Sequence, residues 1–249
     1  MLYLKEMLVL HGSCYHLSTL KNLVKKVLPP SLVRVVKQRA SAKTGESQLL
    51  KVLIAEYAVS DWIVDIGAND GITASNSFPF ILAGWHAILI EPAPAVFAKL
   101  IANHGARSNV TCLQMACSDK AGEADLFFGS DGEEGAMSTL SRTDNEWFRG
   151  ARSTASVKVK TDTITNILRQ YSVPHRLGIL SVDCEGMDYE ALLGLDFDQF
   201  RPAIVVTEEY EWEPEKHAAK YGLLIRAGYS LVQKIGCNTI WLDRKTEKH

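Results

Sequence analysis

The sequence has no Cys-x-x-Cys pair, and its five cysteines (Cys14, Cys112, Cys117, Cys184 and Cys237) are odd in number. That argues against a disulfide framework and a cysteine zinc site, and it points to reduced thiols in a cytoplasmic protein. The seven histidines include no H-x-H or H-x-x-x-H spacing, so a histidine-built metal site has no support and no metal is expected. No apolar run reaches 18 residues, which excludes a membrane-spanning helix. Lys5 and Glu6 interrupt the apolar N-terminus, so it does not read as a signal peptide. There is little charge of either sign in excess. The net is −2 over 249 residues, which gives no ground for a nucleic-acid partner.

That near-neutrality is uneven. Residues 1–40 hold seven Lys/Arg against Glu6, a net of +6, which leaves −8 for the rest of a chain that totals −2. Leu20, Leu23, Val24, Val27 and Leu28 follow helical spacing up to Pro29-Pro30, and a second helix is predicted to run to about Ala40. Residues 1–45 therefore read as a basic helical extension, with a linker over Ser41–Glu46, and residues 46–249 as the catalytic domain. The extension either packs on that domain as a lid or homodimer element, lies on an anionic membrane surface as a peripheral contact, or waits for a partner; the first reading is favoured.

Past a helix expected over Gln48–Ala58, apolar runs alternate with helical stretches. Strands are expected at Trp62–Val64, Ala87–Ile90, Val110–Met115, Gly178–Val182 and Ala203–Val206. A closing antiparallel pair is expected at Tyr229–Gln233 and Thr239–Leu242. Nearly continuous apolar strands separated by helices mean an α/β fold with a doubly wound, mostly parallel sheet covered on both faces. Residues 118–160 break the rhythm. Short strands are expected at Ala124–Phe128 and Val157–Lys160, around a Gly-rich stretch that reads either as a mobile active-site loop or as a surface insertion.

Four segments carry chemistry. Asp65-Ile66-Gly67-Ala68-Asn69-Asp70-Gly71 follows the first strand and is expected to lead into a helix, the place where doubly wound folds bind nucleotides. Its glycine spacing is G-x-x-x-G, and Asp65 and Asp70 would repel a pyrophosphate. Carboxylates there suit S-adenosylmethionine, which carries a sulfonium and an ammonium and no phosphate. The alternative is a plain strand-to-helix turn with Asp70 near a helix N-terminus. Glu91, at the tip of the second strand and followed by Pro92, can accept both hydroxyls of a ribose. Ser118-Asp119, after the third strand, reads as an adenine contact or as turn chemistry. In Ser181-Val182-Asp183-Cys184-Glu185-Gly186, Asp183 can meet the cationic end of the cofactor or orient an acceptor. Glu185 can deprotonate an acceptor hydroxyl or cap the following helix. A fifth cluster, Thr207-Glu208-Glu209-Tyr210-Glu211, either reaches the acceptor pocket or is a solvated charge run.

Val64–Gly71, Ile90-Glu91-Pro92 and Ser181–Leu192, with Thr161–Ile164 and Asn238, resemble the FkbM-type family of S-adenosylmethionine-dependent methyltransferases. The resemblance spans about residues 47–243 and implies a seven-stranded class I, Rossmann-like fold. It implies O-methylation of a hydroxyl on a sugar or natural product, so the partner is a small-molecule or glycan acceptor. By that similarity Asp65, Gly67, Asn69 and Glu91 line the cofactor pocket, and Asp183 and Glu185 face the reacting centre. Two rival readings remain: a nicotinamide-dependent oxidoreductase on a similar sheet, and a non-catalytic binding or scaffold protein on the same fold.

Overall fold

The structure, a computed structural model, describes residues 45–128, 138–140, 156–209 and 214–249. The two helices expected within residues 20–40, and most of the Gly-rich stretch, lie outside the described residues.

The seven main strands are β1 (Trp62–Ile66), β2 (His86–Ile90), β3 (Val110–Leu113), β8 (Ile179–Val182), β9 (Ile204–Glu208), β10 (Tyr229–Ile235) and β11 (Asn238–Asp243). Their order across the sheet is β3-β2-β1-β8-β9-β11-β10. The first five are parallel, and β11 enters antiparallel between β9 and β10. The order reverses between β1 and β8, so a crevice opens at their carboxyl ends, where such sheets bind ligands. This is the doubly wound, mostly parallel seven-stranded sheet expected from the sequence.

Strand alternation sends side chains to two apolar layers. Val64, Ile66, Ile88, Ile90, Val182 and Val205 pack with Ile167 and Leu168 of α4 (Ile164–Gln170), Leu192 of α5 (Asp188–Leu193) and Leu224 of α6 (Pro214–Arg226). Ile63, Leu89, Ile179, Ile204 and Ile240 face the other way, onto Leu50 and Leu53 of α1 (Gly45–Glu56), Phe80 and Ile81 of α2 (Phe78–Leu82) and Leu100 of α3 (Pro94–His104). Each such Leu or Ile contributes roughly 1.5–3 kcal/mol by leaving water.

Helix α1 begins inside the expected linker, because Glu46 in its first turn reaches the last hairpin and accepts a hydrogen bond from Asn238 Nδ2 at 3.1 Å. The described ends are stitched together. Ala58 donates to the Glu247 carbonyl, Tyr57 bridges to Lys248, and His249 donates to the Glu56 carbonyl. Below the hairpin, Arg201 makes a two-pronged contact with buried Asp243 at 2.6 and 3.2 Å.

The expected strand Val110–Met115 divides. Val110–Leu113 stays in the main sheet, and the chain turns away so that β4 (Ala116–Cys117) joins a second sheet with β5 (Gly122–Phe128), β6 (Ser138–Thr139) and β7 (Ser156–Asp162), ordered β4-β7-β5-β6. Val96 of α3 packs with Leu126, Phe128 and Val159 of this small sheet, and fixes it beside the crevice.

Candidate active site

A cleft of about 890 Å³, open mouth included, lies at the carboxyl ends of β1, β2 and β8. The small sheet closes one side with Ala116, Cys117, Leu126, Ser138 and Thr139. Four carboxylates line it (Asp65, Glu91, Asp183 and Glu185), and no Lys, Arg or His does so among the described residues. Buried carboxylates without a nearby cation are costly unless a ligand supplies one.

Each acid is held differently. Asp65, buried at the end of β1, accepts a 2.5 Å hydrogen bond from the Ser77 hydroxyl. Burial raises its pKa, and the hydroxyls of Ser77, Ser181 and Ser75 offset part of the rise. Glu91 accepts the N–H of Asn69 at 3.1 Å through Oε2 and that of Ala93 at 2.9 Å through Oε1. Each oxygen keeps a lone pair for a further donor. Burial still lifts Glu91 to about 7. Asp183 is half-buried, and desolvation, opposed by a hydrogen bond from Glu208, places it at about 6. Glu185 has φ +48°, a left-handed conformation uncommon outside glycine and characteristic of functional turns. The N-cap of α5 is Met187 with no side-chain cap, so Glu185 does not serve as the helix cap.

The loop after β1 is built on close approach. Gly67 has φ +78°, and a Cβ there would sit 1.7 Å from the Asp183 carbonyl oxygen. Its N–H and that of Ala68 both donate to the Ile90 carbonyl at 2.9 Å. Asn69 (φ +52°) lies on the cleft wall. Asp70 and Gly71 lie off it. Asp70 accepts the N–H groups of Ile72 and Thr73 at 2.9 and 2.6 Å, and Gly71 packs against His104, whose Nε2 lies 2.9 Å from the Gly71 carbonyl oxygen. The helix expected directly after the loop is displaced. The side chains of Asp70 and Ser75 hold residues 70–77 in turns, and α2 starts only at Phe78, beside Pro79. Among the described residues no helix starts directly after the β1 loop, where dinucleotide folds place their anion-binding helix N-terminus.

Pro92 lines the cleft beside Glu91, but Ser118 and Asp119 do not. Their side chains bond one another at 3.0 Å, and Met115, Ala116 and Cys117 occupy the wall instead. Glu208, from the cluster with two open readings, turns inward. The register pairs Val182 with Thr207, so Asp183, the residue after β8, lies beside Glu208, the last residue of β9, and the two carboxyl groups influence one another. Asp188 was not singled out by the sequence. It accepts the Cys184 N–H and the Glu208 N–H, both at 2.8 Å, and pairs with buried Lys220 at 3.5 Å. An acid on each of two neighbouring parallel strands was the one available signal for Glu208. Among the described residues no three His, Cys, Asp or Glu side chains are grouped to hold a metal ion, and no helix is long and apolar enough to cross a membrane.

The curated relative "Methyltransferase sdnD" of Sordaria araneosa is 28% identical over 189 residues, which cover 65% of this chain and 70% of that protein. Among solved structures, an SAH-bound methyltransferase of Podospora anserina, PaMTH1, overlays with a TM-score of 0.41 at 10% identity, covering 95% of this chain and 99% of the other. A SAM-dependent methyltransferase of Aquifex aeolicus overlays at 0.40 and 10% identity, covering 90% and 98%. The fold assignment rests on the strand order itself. The family profile of the methyltransferase FkbM domain matches residues 65–231, two thirds of the chain. Among the described residues the crevice is lined by acids and no cation, and no helix starts directly after the β1 loop, which suits a sulfonium cofactor and not a nicotinamide dinucleotide. The chain belongs to the FkbM methyltransferase family, and its cofactor is S-adenosylmethionine.

Proposed function

We propose that this methyltransferase acts on oxygen, taking a hydroxyl of a sugar or natural product as acceptor, with Glu185 as the base. The observation that carries the reading is Glu185 itself, an acid on the cleft wall next to Asp183, in a left-handed turn that no capping role explains. Bound S-adenosylmethionine supplies an electrophilic methyl group on sulfur. Glu91 would accept the ribose hydroxyls, Asp65 and Asp183 would offset the positive charges, and Gly67 to Asn69 and Met115 to Cys117, which also line the cleft, would hold the rest of the cofactor. Glu185 would orient the acceptor hydroxyl and take its proton, because a neutral hydroxyl is a poor nucleophile. Asn76, Ser138 and Thr139 offer neutral hydrogen bonds to the acceptor, beside apolar Leu126, Leu140 and Met187.

The test is transfer of radiolabelled methyl from the cofactor to a panel of hydroxylated, amine and carboxylate acceptors. A labelled product that survives mild alkali as a methyl ether supports the reading, whereas an alkali-labile ester or a methylamine overturns it. Glu91→Ala is expected to weaken cofactor binding by about 1–3 kcal/mol, the range for a lost charge-assisted hydrogen bond, read by calorimetry.

Affinity should also depend on pH. A cation favours ionised carboxylates, so protonation of Glu91 near pH 7 and of Asp183 near pH 6 weakens binding as pH falls through that window. S-Adenosylhomocysteine lacks the sulfonium and should show the shallower dependence. Equal slopes for the two ligands would remove Asp183 from the charged end.

A further inference from the structure

The peptide between Asp183 and Cys184 is held from both sides. Its carbonyl oxygen faces the loop after β1, where an added Cβ on Gly67 would lie 1.7 Å from it. Its N–H donates to Asp188 Oδ1 at 2.8 Å. A trans peptide is a rigid plane with these two groups on opposite edges, so a bond that fixes the N–H also fixes where the carbonyl oxygen meets Gly67. The Asp183 N–H still donates to the Ile66 carbonyl at 2.9 Å, whereas Glu185 and Gly186 just beyond take left-handed conformations (φ +48° and +89°). The turn that brings Asp183 and Glu185 to the cleft wall therefore begins at this one peptide. Asp188, the first residue of α5, closes the turn while lying off the wall itself. Its Oδ2 accepts the N–H of Glu208 at 2.8 Å, at the end of the neighbouring strand β9. Each oxygen thus holds a backbone N–H from a different strand end. Lys220 of α6 lies 3.5 Å from Oδ2 and donates to the Glu208 carbonyl, and both side chains of the pair are buried. A buried ion pair is no more stabilising than apolar residues of the same size. What a carboxylate supplies here is two acceptor oxygens at a fixed separation.

We propose that Asp188 is a positioning residue for cofactor binding: by holding the Cys184 and Glu208 N–H groups together it sets the Asp183–Cys184 peptide, and with it the fit between the loops after β1 and β8. Lys220 supplies the compensating charge. The proposal rests on the reading that these two loops hold S-adenosylmethionine. Without the bond to Oδ1 the peptide is free to rotate. Gly67 cannot follow its carbonyl oxygen, because the N–H groups of Gly67 and Ala68 are both tied to the Ile90 carbonyl. Asp183 and Cys184 move instead, and both line the cleft. A displaced wall weakens S-adenosylhomocysteine as well as S-adenosylmethionine, whereas loss of one carboxylate charge falls chiefly on the sulfonium ligand.

Calorimetry of the full chain with both ligands tests this. The double variant Asp188→Asn/Lys220→Met removes both charges of the buried pair together, so no unpaired ion is left, but its amide offers one acceptor oxygen to two N–H groups. It should bind both ligands at least tenfold more weakly than the original. Asp188→Glu keeps the carboxylate for Lys220 but carries its oxygens one methylene farther out, and it should lose affinity likewise. A merely structural pair would leave the folded double variant within about threefold of the original for both ligands, which overturns the proposal. The contact is also read without ligand. Hydrogen exchange at the Cys184 amide should be slow in the original chain and at least tenfold faster in either variant, with the amides of β1 and β2 unchanged. Fast exchange in the original overturns the proposal, and this measurement decides alone if neither variant folds. Gly67→Ala disturbs the same contact from the other side. Unaltered binding there refutes the reading that the two loops hold the cofactor, and the proposal with it. Weakened binding there, with unaltered binding in the Asp188 variants, refutes the role of Asp188 alone.

Discussion

Glu185→Gln is expected to lower turnover by roughly 10²-fold or more, about 2.7 kcal/mol of activation free energy, while cofactor affinity stays within about threefold. The amide has nearly the shape of the carboxylate and keeps an oxygen acceptor, so the loop and its φ of +48° need not move. What it cannot do is take a proton at neutral pH. Single-turnover measurements with saturating cofactor isolate the chemical step, and calorimetry reports binding. Turnover near the original level would mean that the acceptor arrives already ionised or that another group is the base. A fall in affinity matching the fall in turnover would mean that Glu185 belongs to the cofactor shell.

Gly67→Ala is expected to do comparable damage by a different route. An added Cβ would lie 1.7 Å from the Asp183 carbonyl oxygen, far inside contact distance, at a φ of +78° that itself disfavours a side chain. The loops after β1 and β8 must separate. That displaces the Gly67 and Ala68 N–H groups from the Ile90 carbonyl and swings Asp183 on the cleft wall. The strain should cost about 1–3 kcal/mol of stability in denaturant unfolding. A shift of about 1 Å at the site should cost about 10²-fold in kcat/KM. Gly84→Ala is the control, because φ is +92° there but nothing lies within 4 Å of an added Cβ. It should show the backbone penalty alone and keep activity. Equal loss of activity in both variants would show that close approach at Gly67 is not what matters.

The sheet was legible because its strands are buried on both faces and so are written as unbroken apolar runs. Trp62-Ile63-Val64 and Ala87–Ile90 each mark a strand that the structure extends by a residue or two, and Ala203–Val206 marks one that begins at Ile204 and runs on to Glu208. Asp65 and Glu91 were legible because acids directly after such runs must sit at a sheet's carboxyl edge. What the sequence concealed is long-range. Asp70 and Gly71 belong to the same motif as Gly67, yet one holds a turn and the other receives His104 from α3, 33 positions away. The motif did not disclose which of its residues faces ligand and which faces protein. Ser118-Asp119 missed the wall because the chain leaves the main sheet after Leu113 and delivers Met115 to Cys117 to the cleft first. Glu208 sat in a run of acids that is locally indistinguishable from a solvated one. Only the pairing of β8 with β9 turns it toward Asp183.

The stitching of Tyr57 and Ala58 to Glu247, Lys248 and His249 bears on how the protein comes into being. During synthesis β1, β2 and β3 precede their neighbour β8, which follows more than 65 residues after β3, and the clamp on α1 comes only after β11. A nascent chain therefore carries three hydrophobic strands with β1 exposed as an open edge, a template for wrong pairing, until β8 arrives. The non-local order β2-β1-β8 makes slow closure of this domain a property of its topology. The same stitching leaves the two ends of the described domain side by side. A short linker could join them and a new opening be placed in the exposed turn at Gly84, so that β2 leads and α1, β1 and α2 follow β11.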